Sequence, residues 1–140
     1  MRQNKLCVYL HLVWATWNRM SLIDETIERE LYRYLSGVCQ KNGCDVLAIN
    51  GMAEHLHVLI KLPSTITIAD LVEQMKGGSS RYVSETLRPG EWFKWQGNYG
   101  AFSVSPQDKL KVLNYILNQK RHHSEGTLWL GAETSVIEKR

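Results

Sequence analysis

The segment that most limits the fold of this chain is the apolar run from Leu6 to Thr16. It is rich in β-branched and aromatic residues, and its apolar side chains would occupy both faces of a strand. A strand that is apolar on both faces is typical of the centre of a sheet. The run therefore predicts a central β-strand.

A helix and a hairpin are predicted next along the chain. Apolar residues recur at helical spacing from Ile23 to Val38, and Asn42-Gly43 is the expected stop of this helix. The apolar segments Cys44 to Asn50 and His55 to Leu62 flank Gly51. We therefore expect two strands joined by a turn around this glycine.

A second helix is predicted to begin near Thr67. Thr67 with Asp70 three residues later resembles a capping box, which marks a helix N-terminus. Gly77-Gly78 is expected to interrupt the helix, because glycine is a poor helix former. The glycines could kink the helix or let a ligand backbone come close, and the sequence leaves both open.

The last predicted elements are two short aromatic strands and a helix. The strands are Trp92 to Trp95 and Tyr99 to Ser105, and the helix runs from the Ser105-Pro106 cap to about Lys120. The whole order is β-α-β-β-α-β(β)-α. It predicts an α+β fold, a ferredoxin-like or RRM-like split βαβ antiparallel sheet with helices on one face and an added C-terminal helix.

Length and composition indicate a single domain over residues 1–140. Of the 140 residues 44% are hydrophobic, which suffices for a substantial core. No run of about 18 apolar residues occurs and the N-terminus is polar, so we expect a soluble, cytoplasmic protein with no membrane partner. The cysteines are odd in number and form no Cys-x-x-Cys pair. We expect Cys7, Cys39 and Cys44 to be reduced core residues.

The positive charge is concentrated in one half of the chain. The total is only +3, but residues 76–123 hold eight basic and three acidic side chains, a net charge of +5. Seven aromatic residues lie in the same segment. Basic side chains interleaved with aromatics suit phosphate contacts and base stacking in nucleic acids. A solvated basic face over an aromatic core is the alternative interpretation.

Two histidines form a candidate metal site. His55 and His57 alternate with Leu56 in an apolar strand, so both imidazoles project from the same face. They could offer two nitrogen ligands to one ion. The pair alone is a weak signal, because two buried histidines with ordinary hydrogen bonds give the same pattern.

The last helix carries two polar side chains near the edge of its apolar face. On a helical wheel Tyr115 and Gln119 are neighbours at i and i+4, at or beyond the edge of the arc formed by Val112, Leu113, Ile116 and Leu117. A tyrosine at this position is not needed for packing. A boundary tyrosine lying along the surface is the alternative.

Together these residues suggest phosphodiester chemistry. Two histidines and the amide oxygen of Gln119 would leave open positions on a Mg²⁺ or Mn²⁺ ion, which a phosphate oxygen could fill. Tyr115 could then act as the nucleophile, with Lys111 or Lys120 as candidate cations that activate the phenol. A phosphotyrosine bond keeps the energy of the phosphodiester, so a free 3′-hydroxyl could reverse the step without ATP.

The sequence resembles the small single-tyrosine transposases of the HUH nuclease superfamily, which move insertion sequences as single-stranded DNA. Four segments spread over most of the chain carry the resemblance: His11-Leu12-Val13-Trp14, Glu54-His55-Leu56-His57-Val58, the run Trp95 to Ser105, and Tyr115-Ile116-Leu117-Asn118-Gln119. Relatives commonly have Pro-Asp where this chain has Ala53-Glu54. We expect the Glu54 side chain to point away from both histidines.

The resemblance implies a function and its residues. It implies that His55, His57 and Gln119 bind the metal ion and that Tyr115 forms a 5′-phosphotyrosine link. It also implies a homodimer in which the Tyr115 helix can complete the partner's site, hairpin substrates in single-stranded DNA, and no nucleotide cofactor. The candidate DNA contacts in the basic segment are Lys76, Arg81, Lys111, Lys120 and Arg121.

Two other functions stay open at this point. A domesticated relative that nicks repeat hairpins without moving an element would have the same catalytic residues. An RRM-like module that binds nucleic acid without catalysis would use its aromatic residues for stacking. The second alternative lacks support, because no strand carries the aromatic-rich RNP1 run that begins with Lys/Arg-Gly.

Overall fold

The computed structural model describes residues 4–121 of the chain. Residues 122 and 123 of the basic segment lie outside this range. The helices and strands are β1 (Tyr9–Ala15), α1 (Glu25–Lys41), β2 (Asp45–Met52), β3 (His55–Lys61), α2 (Ile68–Tyr82), β4 (Gly100–Val104) and α3 (Lys109–Leu117). A 3₁₀ turn follows β1, and a π-helical turn extends α2.

The four strands form one antiparallel sheet in the order β2-β3-β1-β4. β1 and β3 are the central strands, as the apolar run from Leu6 to Thr16 predicts. Their register pairs Val13 with His57 and Ala15 with His55. The predicted ferredoxin-like, split βαβ architecture is confirmed.

Alternating side chains of the central strands give the sheet two apolar faces. Leu12 and Trp14 of β1 and Val58 of β3 are fully buried on the face that α1 and α2 cover. Leu59 of β3 lies on the other face, with Ile116 of α3. The added helix therefore packs opposite the other two, and the histidine face of β3 is the face that it covers.

Side chains cap the first two helices, and the cap at Thr67 is the one that the sequence predicts. Asp24 accepts a hydrogen bond from the backbone N–H of Thr26 at the start of α1, and Thr67 accepts one from the N–H of Asp70 at the start of α2. α1 ends before Asn42, and Gly43 adopts a positive φ of 78°. This left-handed conformation explains the glycine after the helix.

The expected interruption at Gly77-Gly78 is wrong, because α2 continues through both glycines. A side chain on Gly78 would run into the ring and hydroxyl of Tyr34 on α1. The glycine therefore permits close packing of the two helices. Nothing lies within 4 Å of the position that a side chain on Gly77 would take.

Gly77→Ala is expected to raise the free energy of unfolding by about 0.5–1 kcal/mol, because alanine is the better helix former and meets no neighbour. Gly78→Ala should gain less or lose stability, since Tyr34 must move. Urea denaturation of both variants measures the difference. Equal stabilisation by the two substitutions would contradict the packing explanation for Gly78.

Three other expectations differ from the structure. Residues 92–95 form no strand: Trp95 makes one isolated bridge to Thr16, and its ring packs edge-on against Trp14 in the core. The turn of the β2–β3 hairpin lies at residues 53–54, while Gly51 belongs to β2. Cys7 is exposed, whereas Cys39 and Cys44 are buried free thiols.

The last helix begins later than predicted and is broken near its end. The N–H of Asp108 does bond to the Ser105 hydroxyl at 3.2 Å, but α3 begins only at Lys109 and ends at Leu117. After a turn at residue 118, residues 119–121 are helical again. Leu117, which the wheel placed on the core arc, is 53% exposed. None of the helices within residues 4–121 has the length and apolar character needed to cross a bilayer.

Candidate active site

The two histidines of β3 lie side by side in the core. His55 and His57 are both fully buried on the face that α3 covers, and their ring centroids are 5.2 Å apart. The two rings are nearly perpendicular, at 78°. The period of two along a strand brings them together, as the sequence predicts.

Each histidine ring has a partner at its Nδ1 atom. Nδ1 of His57 is 2.7 Å from Nε2 of His11 on β1, and Nδ1 of His55 is 3.2 Å from Oε1 of Glu54. In both rings Nε2 is therefore the nitrogen that could bind an ion. A partner on the other nitrogen is the usual arrangement around histidine ligands in metal sites.

Glu54 does not point away from the histidines as expected. Its Oε1 contacts both His55 and the guanidinium of Arg19, the latter at 3.4 Å. The hydrogen bond with His55 is the main reason why the pKa of the Glu54 carboxyl is lowered. The expectation from strand alternation was wrong because Glu54 lies in the turn before β3, where side chains do not alternate with a period of two.

Gln119 reaches the histidines after a break in the helix. Asn118 leaves helical geometry at φ −101° and ψ 21°, and Gln119 behind it is fully buried. Its Oε1 is 3.4 Å from Nε2 of His55, whereas its buried Nε2 has no hydrogen-bond partner. A buried amide whose N–H groups have no acceptor is typical of a site that receives a further polar ligand.

Lys120 links the segment that carries Gln119 to the β2–β3 hairpin through hydrogen bonds. The Lys120 ammonium donates to Glu28 Oε1 and Asn50 Oδ1, both at 3.0 Å, and to the carbonyl of Gly51 at 3.2 Å. Asn50 in turn donates to the carbonyl of Leu117. Lys120, predicted as a DNA contact or an activator of Tyr115, thus holds the end of α3 in place.

Tyr115 lies against the histidine pair of its own chain. Its half-buried ring is 5.9 Å from the ring of His57, centroid to centroid, and nearly perpendicular to it at 86°. The structure therefore gathers His55, His57, Tyr115 and Gln119 in one place. The two pairs lie about 60 residues apart in the sequence, and α3 brings them together by packing on the sheet.

The candidate DNA contacts fall into two groups. Lys76 is half-buried, and its ammonium donates to the carbonyls of Gln96 and Asn98, the latter at 3.0 Å. Burial lowers the pKa of Lys76 to about 8. Lys76 thus ties α2 to the loop before β4. Arg81, Lys111 and Arg121 are exposed, as side chains that contact DNA must be.

Lys76→Met is expected to lower the free energy of unfolding by about 1–2 kcal/mol, because the partly buried carbonyls of Gln96 and Asn98 lose their donor. Arg81→Ala should leave stability nearly unchanged. If the DNA backbone passes over Arg81, this change weakens hairpin binding and lowers the slope of log affinity against log salt by about one unit. Urea denaturation measures the structural role of Lys76, and hairpin binding at several KCl concentrations measures the DNA contact of Arg81. A stable Lys76→Met protein with a lowered salt slope would make Lys76 a DNA contact.

Two residues of the site were not found by sequence reasoning. His11 entered only as part of a family motif, and Glu54 was expected to face elsewhere. The sequence did carry one signal for His11, which is a third histidine on a predicted central strand. His11 lies on the same face of β1 as Val13, and Val13 pairs with His57 on β3. Strand register is needed to use that signal, and periodicity alone does not supply it.

Comparison with known proteins supplies the family. The family described as IS200-like transposases matches residues 4–119, which include β1 to β4, α1 to α3 and all four candidate site residues. The chain belongs to the IS200-like transposase family. The resemblance to single-tyrosine transposases is thereby confirmed, and membership implies DNA cleavage and strand transfer.

Individual proteins that are similar to this IS200-like transposase are themselves described as transposases. The ISDra2 transposase TnpA of Deinococcus radiodurans is 26% identical over 116 residues, which cover 78% of this chain and 81% of the relative. A crystallised protein assigned as a transposase, from Deinococcus radiodurans R1, superposes with a TM-score of 0.66 at 25% identity, covering 85% of this chain and 98% of its own.

A more distant structure shows the same fold. It is a REP-associated tyrosine transposase bound to a REP hairpin, with a TM-score of 0.65 at 15% identity. The alignment covers 91% of this chain and 74% of that protein. This neighbour supports the fold of the IS200-like transposase, including the antiparallel sheet covered by helices.

The donor set of the site fits a divalent ion. Within residues 4–121 no three His, Cys, Asp or Glu side chains are placed to hold one ion, so a third ligand would be of another type. The buried amide of Gln119 beside His55 is such a ligand. Two imidazole nitrogens and one amide oxygen suit Mn²⁺ well and Mg²⁺ when water and phosphate complete the shell.

Proposed function

We propose that this transposase cleaves and rejoins single-stranded DNA through a covalent bond between Tyr115 and a 5′-phosphate. The observation that carries the proposal is the position of Tyr115, whose ring lies 5.9 Å from His57 in a site that also contains His55 and Gln119. A tyrosine beside a candidate metal site is placed where a phosphodiester bound there could be attacked.

The chain's own groups would perform the displacement. The phenol oxygen of Tyr115 attacks phosphorus, the bond from phosphorus to the 3′-oxygen breaks, and the 3′-hydroxyl leaves with a proton. Lys111, one turn before Tyr115 on α3 and exposed, is the candidate cation that favours the phenolate, since Lys120 is held by Glu28 and Asn50. A strand with a free 3′-hydroxyl reverses the step and joins the DNA.

The residues His55, His57 and Gln119 would hold the Mg²⁺ or Mn²⁺ ion. When bound, such an ion polarises the scissile phosphate and stabilises negative charge in the transition state. His55 and His57 are held by Glu54 and His11, so the site needs little rearrangement to accept an ion.

We also propose hairpin DNA as the substrate and a homodimer as the active form. The hairpin proposal is supported by the solved neighbour, which is bound to a REP hairpin. The dimer proposal is supported by two exposed leucines on α3, Leu110 at 65% and Leu117 at 53% exposure. Light scattering, which reports molar mass, tests the oligomeric state.

The REP-bound neighbour also favours a second candidate function, cleavage of repeat hairpins by a relative that no longer moves an element. The same residues would carry out the chemistry. Hairpins from chromosomal repeats and hairpins from element ends, offered in competition, distinguish the two functions.

A covalent-adduct assay tests the proposed reaction. Hairpin DNA with a single-stranded flank and a label at its 3′ end is incubated with protein and Mg²⁺ or Mn²⁺, and denaturing gels separate the adducts. We expect an adduct with the single strand, none with the fully paired duplex, and none when EDTA is present during the incubation. An adduct of equal yield without metal would contradict the proposal.

A further inference from the structure

The bond between His11 and His57 is a feature of the site to which the proposed reaction gives no chemical role. His11 lies on β1, is 1% exposed, and approaches Nδ1 of His57 with its Nε2 atom to 2.7 Å. The ring centroids are 5.0 Å apart and the planes are inclined by 27°. The two imidazoles therefore meet edge to edge through one short hydrogen bond in the core.

The position of one proton in this bond decides what His57 can bind. A neutral imidazole carries its proton on one nitrogen and a lone pair on the other. If His11 donates, His57 must carry its proton on Nε2, and that atom has no lone pair for an ion. If His57 donates from Nδ1, the lone pair of its Nε2 is available.

We propose that His11 is a positioning residue that accepts from Nδ1 of His57 and keeps His57 in the tautomer whose Nε2 binds the divalent ion. This inference rests on the proposed role of His57 as a metal ligand. His11 then carries its own proton on Nδ1. The ring of Phe102 on β4, 6.1 Å away by centroid, packs beside His11.

The second histidine shows the same arrangement. Glu54 accepts from Nδ1 of His55 through an oxygen at 3.2 Å. A carboxylate can only accept in this bond, so the tautomer of His55 is set by the chemistry of its partner. Two acceptors on the Nδ1 side, one carboxylate and one imidazole, would direct both Nε2 atoms to the same ion.

The tautomer can be observed without metal or DNA. Long-range ¹H–¹⁵N correlation spectra of protein labelled with ¹⁵N-histidine distinguish the two neutral tautomers, and the signals missing in His57→Gln identify His57. We expect the Nδ1–H tautomer for His57 in the wild-type protein. In His11→Leu, which removes the acceptor, we expect the Nε2–H form to become substantially populated.

Metal affinity supplies the second readout. Loss of an outer partner of a histidine ligand typically weakens metal binding about 10- to 100-fold, and we expect this rise in the Mn²⁺ dissociation constant of His11→Leu. His11→Gln should retain most of the affinity, because its amide oxygen can accept near the place of Nε2. Phe102→Leu is the matched control, since it changes the packing of His11 and leaves the hydrogen bond. Free Mn²⁺ is measured by electron paramagnetic resonance.

Two outcomes would overturn the inference. One is a wild-type His57 in the Nε2–H tautomer, and the other is wild-type Mn²⁺ affinity in a folded His11→Leu protein. If His11→Leu does not fold, the tautomer of His57 in the wild-type spectrum and the Mn²⁺ affinity of His11→Gln test the inference instead. Failure of the proposed DNA reaction would be seen separately as a missing adduct, because neither measurement involves DNA.

Discussion

Tyr115→Phe is expected to eliminate the covalent protein–DNA adduct and to reduce strand cleavage by at least about 10³-fold. The substitution removes only the phenol oxygen, which is the atom that forms the bond to phosphorus. The phenylalanine ring can keep the contact with His57, whose centroid is 5.9 Å away. Folding and Mn²⁺ binding should therefore remain close to wild type.

The matched control for this variant is Tyr99→Phe. Tyr99 is exposed in the loop before β4, and its hydroxyl is given no role in the reaction. We expect normal adduct yield from this protein in the same gel assay. An adduct that persists in Tyr115→Phe would mean that another residue is the nucleophile.

Gly51→Ala should cause a large loss of stability, of about 3 kcal/mol or more. Gly51 lies in β2 opposite Leu56, and a β-carbon there would collide with the carbonyl of His55 and the α-carbon of Leu56. Both obstacles are backbone atoms, which cannot rotate away as a side chain does. The strands would have to separate next to His55 and next to the carbonyl that binds Lys120.

Urea denaturation measures this loss, and Gly37→Ala is the matched control. Gly37 lies in α1 with nothing within 4 Å of the added carbon, so its substitution should be neutral or stabilising. Any folded fraction of Gly51→Ala should also bind Mn²⁺ more weakly, because His55 is displaced. Wild-type stability of Gly51→Ala would show that the hairpin can widen without cost.

Local rules of sequence predicted much of the fold. The apolar run at residues 6–16 did form a central strand, the cap at Thr67 is present, and the spacing of His55 and His57 did bring both rings to one face. These features depend on neighbours within four residues along the chain. Periodicity and capping describe such interactions directly.

The predictions that failed depend on contacts between distant segments. Gly78 is explained by Tyr34 on another helix, and Trp95 left its predicted strand to pack against Trp14. Lys76 and Lys120 stay predictions as DNA contacts, but the structure adds a second role for each, because both ammonium groups donate to groups of this chain. Charge counted along a sequence does not show which ammonium groups find internal acceptors.

The sequence by itself determined the order of strands and helices, the histidine pair and the tyrosine helix, because strand and helix periods are local properties. Only the tertiary structure decided that α3 covers the histidine face, that the break at Asn118 buries Gln119, and that His11 bonds to His57. Those contacts require the register of β1 on β3 and the docking of α3. Both are set by packing across the whole sheet rather than by neighbours in the chain.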